Sequence, residues 1–382
     1  MKTAVVILNW NGKGYLEKFL PGLLESVEEY NQTYDGRVDG FIQHGRAEVI
    51  VADNASTDGS IEMMRERFPQ VPLLCFDKNY GFTGGYNKAF KEIQAQYYLL
   101  LNSDVEVEGD WLSPLVEWMD THHLCGACAP KLHSYQDKEM FEYAGAAGGL
   151  IDKYGYPFCR GRILKKVEKD YGQYDEPDDV FWVSGACLMV RSELYHRLGG
   201  LDERFFAHFE EIDLCWRIQL EGYNVTVIPE STVWHVGGGS LPAESPWKFY
   251  LNYRNNLLML SNNLAKSRAL ELYNEDYEDC VRKGMKSAQK TIFARKVLDG
   301  LSAAVYLMTF RWKYFKAVLK AHKDYGSLAS SPSAEEIEAY LEEKGKMAGV
   351  NGIYDGSIIM QSFLHGDKVF RMIQSEGSLG EY

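Results

Sequence analysis

Four short apolar runs, each followed at once by a polar turn and a helix-like segment, constrain this chain more than any other feature. Ala4 to Leu8 is continuous and rich in β-branched residues, the pattern of a strand buried on both faces of a parallel sheet. It ends at Asn9, Trp10, Asn11 and Gly12, and Tyr15 to Tyr30 then reads as a helix. Glu48 to Ala52 repeats the pattern and stops at Asp53 to Asp58, whose Ser and Asp residues suit a cap for a helix over Ser60 to Phe68. Leu73 to Phe76 is the third run, followed by a turn through Gly81, Gly84 and Gly85 and a helix over Asn87 to Gln96; Tyr97 to Leu101 is the fourth. Strands alternating with helices imply βαβ units with right-handed crossovers, hence an α/β sandwich. In such sheets ligands bind beyond the carboxyl ends of the strands, where the polar turns lie.

Farther along, glycines 145, 148, 149, 155 and 161 interleave with tyrosines and a basic cluster, and residues 130–180 read as a long mobile loop over the site. Order returns with the apolar run Phe181 to Val190, a helix over Ser192 to Leu198, an acid-bearing helix over Phe205 to Glu221 and a strand over Val225 to Ile228. Beyond Trp247 the pattern is helical to about Tyr325, with a hinge near Pro332 and an acidic stretch and tail after it.

Composition narrows the function. Hydrophobic residues make up 46% of 382, a folding composition with room for two or three domains of roughly 150 residues. Lysine plus arginine number 41 against 54 acids, a net charge of −13, which excludes a whole-chain nucleic-acid binder working through a basic face. The five-residue apolar run before Asn9 is shorter than a signal-peptide core, and no stretch reaches the roughly 18 apolar residues of a membrane span. Seven scattered cysteines point to a reducing compartment, and Cys125 and Cys128 read as a buried structural pair. Gly12-Lys13-Gly14 lacks the third glycine of the dinucleotide fingerprint, and no GxxxxGK[ST] occurs, so neither hydride transfer nor P-loop hydrolysis has support.

Acids and amides at strand ends remain. Asn102-Ser103-Asp104 follows the fourth strand and offers oxygen ligands to a hard divalent cation, although Asn-Ser-Asp is also an ordinary turn. Glu210, Glu211 and Asp213 open a helix; they complement its dipole, and their apolar surroundings (Phe205, Phe206, Phe209, Leu214) also suit a general base of raised pKa. His235 precedes Gly237 to Ser240, where the backbone can approach a ligand or metal closely.

Taken in order, these pieces resemble the inverting family-2 glycosyltransferases of the GT-A fold, especially rhamnosyltransferase-like members. The matching stretches are Val5 to Gly12, Val51 to Ser60, Asn79 to Asn87, Leu99 to Asp104, Ser184 to Ala186, Gly199 to Asp202, Phe206 to Arg217 and His235 to Ser240. The resemblance implies an αβα sandwich with a mixed, mostly parallel sheet over residues 1–245 and a C-terminal helical extension. It implies a nucleotide-diphospho-sugar donor, dTDP- or UDP-linked, whose base is held by Trp10 and Asp53, with Asn79, Asn87 and Ser103 on the nucleotide side. Asn102 and Asp104 take the two ends of the family's DxD motif for Mg²⁺ or Mn²⁺, and His235 contacts the metal or diphosphate. Glu211 stands where the family usually has an aspartate base, which leaves Glu210 and Glu211 as alternatives. Gly185 and Asp213 are assigned to the acceptor side or another part of the site; Arg254, which follows the aromatic Phe249, Tyr250 and Tyr253, suits either the acceptor side or a packing role. The implied reaction is inverting transfer, as of rhamnose, to a glycan or lipid-linked glycan of a cell-surface polysaccharide. A sugar-nucleotide nucleotidyltransferase would need a glycine- and lysine-rich N-terminal signature that Asn9 to Gly12 does not supply. A non-catalytic, membrane-attached binding subunit is the rival from another class, kept open by glutamate at 211.

Residues 246–330 differ from the rest. Between Val281 and Tyr325 stand eleven basic residues and two acids, around the apolar stretch Leu301 to Phe310. Two readings fit: an interfacial anchor on an anionic membrane surface, or a helical hairpin packed on the catalytic domain with a solvated basic face. The resemblance favours the first, since many relatives use lipid-linked acceptors; the expected location is cytoplasmic, peripheral on the membrane's cytoplasmic face. Residues 331–382 read as a C-terminal tail.

Overall fold

A computed structural model describes the chain except residues 40, 41, 44, 238–244, 275 and 377–382. The apolar runs are adjacent strands of a nine-stranded sheet, three of them interior and the third run at its edge. In chain order come β1 (Thr3–Asn9), α1 (Lys13–Tyr34), the short pair β2 (Val38–Asp39) and β3 (Ile42–Gln43), β4 (Ala47–Asp53), α2 (Ser60–Arg67) and β5 (Leu73–Cys75). There follow α3 (Gly81–Glu92), β6 (Tyr97–Leu101), β7 (Val105–Val107), α4 (Ser113–Thr121) and β8 (Cys125–Ser134). β1 pairs in parallel with both β4 and β6, and β4 with β5. Every residue of β6 is buried, which is why no hydrophobic alternation marks it.

The middle of the chain is built rather than mobile. Four strands, β9 (Gly149–Asp152), β10 (Pro157–Cys159), β11 (Arg162–Ile163) and β12 (Lys166–Val167), form an antiparallel meander. The glycines read as a sign of mobility are needed for packing: a Cβ at Gly149 would lie 1.9 Å from the Trp182 ring. After β13 (Asp178–Asp179) come β14 (Cys187–Arg191), α5 (Ser192–Arg197), α6 (Glu210–Leu220) and β15 (Asn224–His235). β15 runs far past the expected Ile228; its register against β8 shifts between Ile228 and Thr232, an irregularity that accommodates Pro229. β14 is antiparallel to β6 and β8, whereas β15 is parallel to β8. The carboxyl ends of β1, β4, β6, β8 and β15 therefore all emerge at one edge of a mixed, mostly parallel sheet.

The C-terminal region is helical, with α7 (Pro246–Leu270), α8 (Tyr277–Met308), α9 (Trp312–Leu328) and α10 (Ala334–Lys344). Leu257, Leu258, Met259 and Leu260 of α7 join the main core, so this helix is part of the catalytic body's packing. The tail is not loose: β16 (Ile353–Tyr354) adds in parallel to β9, and α11 (Ile358–His365) and α12 (Lys368–Glu376) cover the small sheet through Ile358, Val369 and Phe370. Among the described residues no helix is long and apolar enough to cross a membrane. All seven cysteines are free thiols, and all but Cys75 are buried.

Candidate active site

A cavity of about 1020 Å³ opens at the edge where those strands end. Two helix starts depart from the expected boundaries and shape it. The glycine-rich turn is itself the first turns of α3, which begins at Gly81 and ends at Glu92. Gly81 has φ +73°, and a Cβ there would meet the Phe206 carbonyl oxygen at 2.6 Å, so both backbone and space require glycine. That carbonyl accepts from the amides of Phe82 (2.7 Å) and Thr83 (3.2 Å), groups left open at a helix start. The acid-bearing helix starts at Glu210, because Phe206, His208 and Phe209 have φ of +64°, +69° and +73° and form a strained turn ahead of it.

α7 holds that turn in place. Asn255 donates from Nδ2 to the carbonyls of Phe205 (3.0 Å), Ala207 (2.8 Å) and His208 (2.7 Å). Arg254 donates to those of Arg204 (2.9 Å) and Phe205 (2.8 Å). Of the two readings of Arg254, the structure shows the packing one: it does not line the cavity, and its guanidinium satisfies buried backbone oxygens. Asp213 is also removed from the cavity. It is fully buried, accepts from Arg217 Nε (2.7 Å), Asn262 (2.9 Å) and Asn263 (2.8 Å), and fastens α6 to α7. Breaking such a buried pair leaves an uncompensated charge.

Trp10, Asn79, Asn102, Ser103, Asp104, Gly185, Glu210, Glu211 and His235 all line the cavity. Asp53 and Asn87 do not. Asp53 is 1% exposed and accepts from Asn9 Nδ2 (2.9 Å) and the Ser56 amide (2.8 Å), which fixes the turn beyond β1. Asn87 donates to the Leu201 carbonyl (2.8 Å) and accepts from Tyr195 (2.6 Å), tying α3 to the loop before the strained turn. Gly237 lines the cavity, whereas Gly238, Gly239 and Ser240 lie outside the described residues.

On the cavity wall, β7 and β15 pair with His235 opposite Val105, which sets Asp104 beside the histidine. Nε2 of His235 lies 3.2 Å from Asp104 Oδ1 and 3.4 Å from Asn102 Nδ2, and Nδ1 lies 3.5 Å from Glu142 Oε1. Burial opposes protonation of this imidazole, but hydrogen bonds to Asp104 and Glu142 outweigh it and raise its pKa to about 10. Among the described residues no three His, Cys, Asp or Glu side chains form a metal cage. Asp104 and Asn102 instead offer a carboxylate and an amide oxygen to a cation shared with phosphate oxygens, since hard cations complete their shell from the ligand, and the protonated His235 can face the phosphates.

The two glutamates line the same cavity, and Oε2 of each has no hydrogen-bond partner. Burial raises the Glu211 pKa to about 7; Glu210, buried and next to the Glu211 charge, is raised well above the usual range. Four further residues that line the cavity were given no role of their own from sequence. Glu142 sits in the segment read as a loop. His208 Nε2 has no partner, and burial lowers its pKa to about 4. Phe206 and Trp247 meet edge-to-face at 6.3 Å, and both are partly exposed at the rim.

Among solved structures, GalNAc-T7, titled as bound to UDP, GalNAc and Mn²⁺, superposes with a TM-score of 0.52 at 14% identity, over 97% of this chain and 57% of that one. The fold is thus that of the GT-A nucleotide-diphospho-sugar transferases. Residues 4–199 match the model of Glycosyl transferase family 2, and the chain belongs to that family. Its relatives include the N-acetylglucosaminyl-diphospho-decaprenol L-rhamnosyltransferase of Mycobacterium tuberculosis, 24% identical across 60% of this chain and 75% of the relative. Rhamnosyltransferase WbbL of Escherichia coli is also 24% identical, across 59% and 80%.

Proposed function

We propose that this glycosyltransferase moves a sugar, with inversion, from a nucleotide-diphospho-sugar to a hydroxyl of a lipid-linked glycan. The observation that carries this is a single cavity lined both by the Asp104–His235 pair and by a glutamate pair of raised pKa. Trp10 and Asn79 take the nucleoside; Asp53 acts on it through the turn it holds. Asp104 and Asn102 would hold Mg²⁺ or Mn²⁺ with the diphosphate, which the protonated His235 would contact. When bound, that cation supplies positive charge to the departing diphosphate.

Glu211 is the base. Burial raises its pKa to about 7, so it exchanges a proton near neutral pH; burial and the Glu211 charge beside it raise Glu210 as well. The acceptor hydroxyl gives its proton to Glu211 as its oxygen attacks the anomeric carbon. The bond to the diphosphate breaks on the opposite face, so one displacement inverts the centre. His208, neutral at physiological pH, and the Phe206–Trp247 pair lie on the acceptor side, where aromatic faces suit a sugar ring. The lipid-linked acceptor is supported by the name of the mycobacterial relative, and a rhamnose donor by both relatives' names.

A thermal-shift screen of dTDP-, UDP- and GDP-sugars with and without Mn²⁺ tests the donor class. A ligand at 100 times its Kd stabilises the folded state by about 2.7 kcal/mol. The expected result is stabilisation by one nucleotide family, larger with Mn²⁺. No stabilisation by any of them would contradict the reading.

A further inference from the structure

Helix α8 carries an exposed apolar face. Phe293, Val297, Leu301, Val305 and Met308 succeed one another at spacings of four, four, four and three, hence along one side of the helix, and are 47–69% exposed. The stripe continues into the turn between α8 and α9, where Phe310 is 79% and Trp312 52% exposed. Single apolar residues on a surface need no explanation, but a contiguous stripe ending in an aromatic tip marks an interaction site.

Exposed cations frame it. Lys283, Lys286 and Lys290 precede the stripe on α8, and Arg311, Lys313 and Lys316 follow it on α9. Lysine and arginine stems lie along an apolar surface while their charged heads reach outward. An apolar helix face flanked by cations, in a chain of net charge −13, complements one partner chemistry: a bilayer surface with anionic headgroups. A second copy of the chain would set the same cations against one another.

We propose that α8 and the α8–α9 turn dock in the plane of an anionic bilayer surface. The docking tip is packed to the cavity mouth. Phe249 of α7 contacts Tyr306 at 6.1 Å and Tyr314 at 4.7 Å, and Trp247, two residues earlier, lines the cavity. The surface that meets lipid and the rim that meets acceptor therefore belong to one packed unit.

Flotation of the full chain with phosphatidylcholine vesicles, with or without phosphatidylglycerol, tests this without turnover, so its failure would leave the glycosyl-transfer reading standing. The wild type is expected to float with the phosphatidylglycerol vesicles, and less so at high salt. Leu301→Asp with Val305→Asp, both outside the cavity, is expected to lower partitioning at least about tenfold at an unchanged Tm. Absence of wild-type flotation on anionic vesicles overturns the proposal, as does undiminished flotation of the double variant. A wild-type dimer that the double variant converts to monomer would assign the stripe to self-association and overturn it equally.

Discussion

Glu211→Gln is expected to slow transfer by about 10²- to 10⁴-fold, the usual contribution of a positioned base, while donor affinity stays within about twofold of wild type. The wild-type kcat/KM is expected to rise with pH and level off above about 7, because the base must be ionised and burial has raised its pKa to that region. The variant loses this limb. Glu210→Gln is the control: it removes the neighbouring carboxyl but leaves Glu211 in place, so transfer is expected to persist. Initial rates of nucleoside-diphosphate release for both variants check the assignment. A dead Glu210→Gln beside an active Glu211→Gln would reverse the roles, and two active variants would remove the pair from the chemistry.

The second large effect belongs to Asp104. Asp104→Ala is expected to weaken Mn²⁺-dependent binding of the nucleoside diphosphate at least about tenfold, the size of one charge-assisted contact. Binding without the metal should change little. Calorimetry with the nucleoside diphosphate, with and without Mn²⁺, separates the two. Equal affinity of wild type and variant with the metal present would take Asp104 out of the diphosphate site.

Much of this arrangement was legible in the residues. The strands over Ala4 to Leu8, Glu48 to Ala52 and Tyr97 to Leu101 announce themselves as unbroken apolar runs, and their shared direction brings Trp10, Asn79 and Asp104 to one edge. What failed depended on distant partners. Arg254 and Asn255 look like binding residues on a helix, but their acceptors are carbonyls some fifty residues earlier, exposed only because the turn before α6 takes left-handed backbone. Asp213 looks like a third acid of the cluster, yet α7 supplies the two asparagines that bury it. Glu142 was hidden because glycines at 148, 149 and 161, read as signs of mobility, are close-packing positions of a small sheet. Local sequence marks strand ends well; it says little about which side chain will satisfy a backbone group far along the chain.

The central claim is that one cavity holds the diphosphate between Asp104 and His235 and presents the sugar to Glu211. A crystal structure with a nucleoside diphosphate and Mn²⁺ measures this directly. The account predicts the metal within coordination distance of Asp104 and the diphosphate, with the open space beyond the terminal phosphate facing Glu211. A nucleotide bound elsewhere, such as the cleft beside Arg191 and Arg197 where β6 begins, would contradict it.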